Sequence, residues 1–203
     1  MDKKFKLIEN DSIEINDHKL YRLQALIDFN DVQAGDLGGY IEHENNLSQT
    51  DDCWIYGNAK VYGNACVFGD ASVYDNARIY GNAKVFDSAW ISGNARVFGY
   101  TSVFDNAYVA DNACVFGTAC VFGSAHISGN AIIKKDGDYI VFKNSWSSGR
   151  YFTYTKSNKM WRVGCFYGTG DELIKKAYKD SEESGKHYEL YVNLIKEMEE
   201  LKL

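Results

Sequence analysis

The chain has 203 residues, 22 basic against 28 acidic for a formal charge of −6, and 45% of its residues are hydrophobic. That length suits one body with terminal additions, and the acidic balance leaves no basic footprint for a nucleic-acid partner. No apolar run approaches the ~20 residues of a membrane span, and the start Met1-Asp2-Lys3-Lys4-Phe5 does not read as a signal peptide. Five cysteines without zinc-ligand spacing, an odd number, fit a reducing compartment, so a cytoplasmic location is expected.

Taken in chain order, residues 5 to 29 read as short strands. Phe5, Leu7, Ile13 and Ile15 alternate around a turn at Glu9-Asn10-Asp11, and Leu20, Arg22, Gln24 and Leu26 oppose Tyr21, Leu23 and Ile27. Residues 1–36 are therefore expected to form an N-terminal β cap. Gly35 to Gly39 lacks the lysine and following helix of a phosphate loop. Ile41 and Leu47 are six apart and Leu47 and Ile55 eight, which predicts a first irregular coil with a two-residue bulge.

From Ile55 to Ile133 an aliphatic residue recurs at every sixth position: Ile55, Val61, Val67, Val73, Ile79, Val85, Ile91, Val97, Val103, Val109, Val115, Val121, Ile127 and Ile133. Four residues after each, as far as Ala131, comes an alanine, with Thr101 the one exception, and turn pairs such as Gly63-Asn64 or Asp75-Asn76 lie between. Six is a multiple of the strand period and not of the helical 3.6. The aliphatic side chain points in, the small residue sits at an inner corner, and Gly, Asn and Asp turn the chain at low cost.

This unit resembles the hexapeptide repeat of the left-handed parallel β-helix, the fold of bacterial hexapeptide acyltransferases, in which three hexads close one triangular coil of 18 residues. The resemblance implies an all-β body over 37–133, with coils stacked at ~4.8 Å. It also implies homo-oligomers, dimer or trimer, since related transferases commonly associate. Phasing by 18 gives three outer faces. One carries Trp54, Tyr56, Tyr74, Trp90, Tyr108 and His126; the second Lys60, Tyr62, Arg78, Tyr80, Arg96, Phe98, Cys114 and Phe116; the third Cys66, Phe68, Lys84, Phe86, Phe104, Cys120 and Phe122. The rings Trp54, Trp90, Tyr108, Tyr62, Tyr80, Phe98, Phe116, Phe68, Phe86, Phe104 and Phe122 are candidate interface or binding residues, because an apolar stripe left in water marks an interface. Lys60, Arg78 and Arg96 form a short basic column suited to an anion or to a solvated face. The column of Asn58, Asn76, Asn94, Asn112 and Asn130 reads as structural. Asp87 and Asp105, one coil apart, read as turn residues rather than a calcium site.

After Ile133 the hexads stop. Residues 134–168 are expected to add antiparallel strands, among them Arg150–Thr155 and Met160–Tyr167 joined by a polar turn at Lys156-Ser157-Asn158-Lys159, and 169–203 to be helical. Thr169 with Glu172 forms a capping box, Ser184-Gly185 is read as the break between two helices, and Tyr188, Tyr191, Leu194, Ile195, Met198 and Leu201 share a face of the second.

The segments Leu23–Gln49, the "VYGNA" units and Gly164–Glu172 resemble a group of bacterial and phage proteins commonly labelled acyltransferases on the repeat alone. A repeat is a scaffold and not a site. The expectation is a non-catalytic homo-oligomeric scaffold or protein-binding protein, with a host protein as partner in a phage setting. The alternative is a coenzyme-A-dependent acyltransferase with His126 as general base; coenzyme A is expected as cofactor under that alternative alone, and no metal. His18, His43 and His187 are the other histidines, with His43 beside Glu42 and Glu44. A third reading is a carbohydrate-binding module using exposed Trp54, Tyr56, Tyr74, Trp90 and Tyr108.

Overall fold

The structure, a computed structural model, describes residues 3–201, so Met1, Asp2, Lys202 and Leu203 lie outside it. The chain divides into two compact units, Met1–Asp138 and Tyr139–Leu203.

The first unit is a β-solenoid. Parallel two- to four-residue strands stack with a register of 18: Trp54 lies on Ser72, Lys60 on Arg78 and Cys66 on Lys84. Three sheets result, matching the three phased faces. One has five strands from Trp54–Ile55 to His126–Ile127, one has four from Cys66–Val67 to Cys120–Val121, and one has eight. All fourteen comb aliphatics are 0% exposed, and the corner alanines are buried with them. The predicted bulge is present. Ile41 pairs with Val61 and Leu47 with Val67, twenty residues on, whereas Ile55 pairs with Val73, eighteen on.

The eight-stranded sheet is longer because the N-terminal strands join it. Strand β1 (Phe5–Ile15) pairs antiparallel with β2 (His18–Ala25), β2 with β3 (Leu37–Ile41), and β3 lies parallel to Lys60–Val61. Glu9-Asn10-Asp11 is not a turn, as the sequence suggested, but part of a bulge in a continuous β1. The hairpin turns at Asn16-Asp17, both at positive φ (46° and 67°), the backbone that a tight two-residue connection requires. Gly38 and Gly39 allow β3 to seat against the next coil: a Cβ on Gly39 would lie 2.4 Å from the Ala59 carbonyl oxygen.

Aspartates at the corners lock successive coils. Asp75, Asp87, Asp105 and Asp111 all have positive φ, and their carboxylates accept hydrogen bonds from the backbone N–H one coil on: Gly93 to Asp75 at 2.9 Å, Asp105 to Asp87 at 3.4 Å, Gly123 to Asp105 at 3.0 Å and Gly129 to Asp111 at 2.8 Å. Asp105→Ala loses this acceptor and places a β-carbon without local hydrogen bonding in the left-handed region. A loss of about 1–2 kcal/mol is expected, read as a shift in urea midpoint; Asp105→Asn should lose less, and equal losses would contradict the role of the carboxylate. The asparagine column is linked likewise, with Asn94 donating to Asn112 at 3.3 Å.

The second unit is a four-stranded antiparallel meander, Tyr139–Lys143, Tyr151–Thr155, Met160–Val163 and Phe166–Gly168, followed by helices α1 (Gly170–Asp180) and α2 (Glu182–Glu200). The expected strand from Met160 to Tyr167 is divided at Gly164-Cys165, with Gly164 at φ 56°. Thr169 and Glu172 form the reciprocal capping box. The helices break at Ser181, which caps α2 through Ser184 N–H at 3.0 Å, and not at Ser184-Gly185. Gly185 lies inside α2 because α1 comes close there: a Cβ would sit 2.3 Å from Tyr178 Cδ1. Phe152, Tyr154, Trp161, Leu173, Ala177, Tyr188, Val192 and Ile195 form the core, while Leu194 and Leu201 face out at 44% and 69% exposure. The inner face of α2 is thus Tyr188-Val192-Ile195, offset from the expected one.

Candidate functional site

The outward comb positions build columns of rings. On the eight-stranded face Tyr62, Tyr80, Phe98 and Phe116 follow one another at 5.1, 4.7 and 5.3 Å, within 6° of parallel. On the four-stranded face Phe68, Phe86, Phe104 and Phe122 follow at 4.8, 5.0 and 5.4 Å. On the five-stranded face Tyr56, Tyr74 and Trp90 stack at 4.2 Å, Trp90 and Tyr108 at 6.2 Å, and His126 meets Tyr108 edge-on at 4.4 Å and 63°. Strand spacing sets these distances, since in-register rings repeat at the ladder step. Each stacked pair contributes about 0.2–1 kcal/mol.

Most of these rings are half-buried, and two are not available to any partner. Trp54, expected at the surface, is 1% exposed because Phe5 and Phe29 pack edge-on against it at 6.3 and 5.4 Å. Tyr62 is 4% exposed, in a cluster with Leu20 and Tyr40 flanked by Ile13, Ile15 and Tyr80. The N-terminal hairpin therefore covers the top of two faces. Of the rings named for the carbohydrate reading, Trp54 is covered and Tyr74 is stacked on both sides, by Tyr56 and by Trp90. Lower on the solenoid Trp90 is 40% exposed and Phe122 47%.

His126 is half-buried at the end of the five-stranded sheet, in the strand His126–Ile127, packed on Tyr108, whose hydroxyl lies 3.1 Å from Ser92 Oγ. His18 is paired with a carboxylate. His18 Nδ1 lies 2.9 Å from Glu42 Oε1, its ring 5.1 Å from that of Tyr62, while Glu42 Oε2 accepts Gly63 N–H at 2.7 Å. His43, which the sequence placed between carboxylates, is exposed. His187 is inside α2 and stacks on Trp146 at 4.4 Å. The His18–Glu42–Gly63 chain ties the hairpin to the first regular coil.

Burial pushes the Glu42 carboxyl up, but the hydrogen bonds from His18 and Gly63 outweigh it and hold the group below its usual range. Bonds from Ser48 and from Gly69 N–H hold Asp51 low. A depressed folded pKa contributes stability that is complete above the unfolded value, about 4, and fades as pH falls through the folded one. Acidification below pH ~4 is therefore expected to loosen the irregular first coil ahead of the middle coils. Amide protection factors over residues 42–52 relative to 91–97 read this directly, and a constant ratio from pH 6 to pH 3 would contradict it.

The five cysteines are unbridged, with Cys53 and Cys114 buried and Cys165 exposed. Among the described residues, no group of three His, Cys, Asp or Glu side chains is placed to hold a metal ion, and no helix is long and apolar enough to cross a membrane. Clefts lie along β1 (Lys6, Glu9, Lys19, Tyr21), beside Leu47 and Phe68, in the second unit between Trp161 and Lys196, and along Arg78 and Arg96; none of these four is lined by a histidine.

The family described as "YdcK Beta solenoid repeat" matches residues 77–92. A relative named "Uncharacterized acetyltransferase YdcK", from Escherichia coli (strain K12), is 51% identical over 37 residues, which are 18% of this chain and 11% of that protein. The chain thus spans a small part of the length of the curated relative it matches. The coils described above form a β-solenoid of six-residue repeats, and the family match falls within it. Residues 77–92 are repeat throughout and contain none of the four histidines.

Proposed function

We propose that this protein is a non-catalytic binding scaffold, a rigid solenoid whose aromatic columns dock against protein, in the first instance against a second copy of the chain. The observation that carries the reading is the column Phe68-Phe86-Phe104-Phe122: four phenylalanines in register, on a face of two-residue strands, with the last ring 47% exposed. Stacking accounts for the faces of the rings and leaves their edges as a continuous apolar ridge, which suits an interface. A host protein as the partner rests on sequence resemblance alone.

The test is mass by light scattering for the wild type and for Phe104→Glu with Phe122→Glu. A dimer or trimer that becomes monomeric, with the circular dichroism of the solenoid kept, supports the reading. A wild type that is monomeric at about 50 µM removes self-association from it.

The second reading, acyl transfer from coenzyme A with His126 as base, is favoured by the printed name of the E. coli relative. That name reaches this chain through a stretch covering 18% of it, so the chemistry has to be tested on this chain's own residues.

A further inference from the structure

On the eight-stranded face, one row of side chains is cationic. Lys60 pairs in register with Arg78 and Arg78 with Arg96, so three positive charges stand at the ladder spacing of ~4.8 Å on a chain whose net charge is −6. The ion pairs among the described residues involve none of the three. Asp75, the corner carboxylate three residues before Arg78, accepts the N–H of Gly93. Lys60 donates to the Asn58 carbonyl. Its pKa is lowered by burial and, beyond that, by Arg78 and Arg22, as expected where cations face one another without a counter-charge.

Arg78 and Arg96 line a cleft of about 340 Å³ together with the amides of Asn76, Asn94 and Asn112. The asparagine column forms one wall, in which Asn94 donates to Asn112 at 3.3 Å. The exposed guanidinium groups form the other wall. Two planar forks one ladder step apart can share the oxygens of a single tetrahedral anion, and guanidinium suits such bidentate recognition better than ammonium does.

We propose that the cleft between Arg78 and Arg96, walled by Asn76, Asn94 and Asn112, is a binding site for a phosphoryl-type oxyanion. The chemistry is common to free phosphate and to the diphosphate of a larger molecule. The anion neutralises a like-charged row that the fold otherwise holds uncompensated, so occupancy stabilises the middle coils.

The experiment titrates the full-length chain, at constant ionic strength in chloride, with inorganic phosphate and separately with pyrophosphate. Binding is read by calorimetry and by the thermal midpoint. The variants are Arg78→Gln, Arg96→Gln and, as a control, Lys84→Gln, which removes a charge on the four-stranded face at the same height. Phosphate or pyrophosphate is expected to raise the midpoint of the wild type and of Lys84→Gln. Affinity should fall at least tenfold in either arginine variant, and those variants should be more stable than the wild type in the chloride buffer without phosphate. Tighter binding of pyrophosphate points to a diphosphate ligand, equal binding to a single phosphate. Equal affinity for wild type and arginine variants, or no binding by the wild type beyond chloride, overturns the proposal. Arg96→Lys provides a second check: it keeps the charge and loses the fork, so bidentate recognition requires that it too bind weakly.

Discussion

Replacing Ile91 with alanine is expected to cost the solenoid about 2–5 kcal/mol, the range for removing a fully buried branched side chain and leaving a cavity. Ile91 is 0% exposed and lies between Val73 and Val109 in the five-stranded sheet. Neighbouring corner positions are filled by Ala89 and Ala95, both buried, so no long side chain is at hand to collapse into the space. In a stacked array each coil is stabilised chiefly by its neighbours, and a defect at mid-height weakens the interfaces above and below. Ile91→Val should cost about 0.5–1.5 kcal/mol, which separates the cavity from any backbone effect. Trp90→Ala, at the adjacent outward position, should cost less than Ile91→Ala. Urea unfolding ranks the three, and a loss under about 1 kcal/mol for Ile91→Ala would contradict the inward assignment of the comb.

In the second unit the corresponding expectation concerns Trp161. It is 2% exposed and packs on Phe142, Phe152 and Tyr154 at centroid distances of 5.9, 6.1 and 5.0 Å. Trp161→Ala is expected to remove about 3–5 kcal/mol, a large part of what a unit of this size can hold. Amide exchange checks it: protection should be lost across residues 139–201. Retained protection there would mean that the aromatic cluster is not the core of the unit.

The solenoid was legible because its rule is local and repeated. One aliphatic in six, with a small residue four on, fixes inward positions, register and all three faces without any long-range information. What escaped depends on contacts between segments far apart in sequence. Glu9-Asn10-Asp11 and Asn16-Asp17 carry similar turn chemistry, and pairing of β1 with β2 selects the second. Gly185 reads as a helix break until Tyr178 is seen packed against it. Trp54 follows the comb and belongs by phase to an outer face, yet Phe5 and Phe29, both outside the repeat, cover it. His18 and Glu42 are 24 residues apart, so their pairing had no signal in the sequence, whereas His43, beside Glu42 in the sequence, acts on that carboxylate only through its charge and after His18 and Gly63. Of the candidate site, the ring columns and the basic row were legible from phase alone; which rings the hairpin removes from the surface was not.

Calorimetric titration of acetyl-coenzyme A into protein whose oligomeric mass has been fixed by light scattering tests the scaffold reading most directly. The expected result is a defined oligomer with no binding that depends on His126; any heat from the coenzyme's phosphates at the Arg78–Arg96 cleft should persist in His126→Ala and be lost in Arg78→Gln. Micromolar binding that is abolished by His126→Ala would contradict it and establish an acyl-donor site on the five-stranded face.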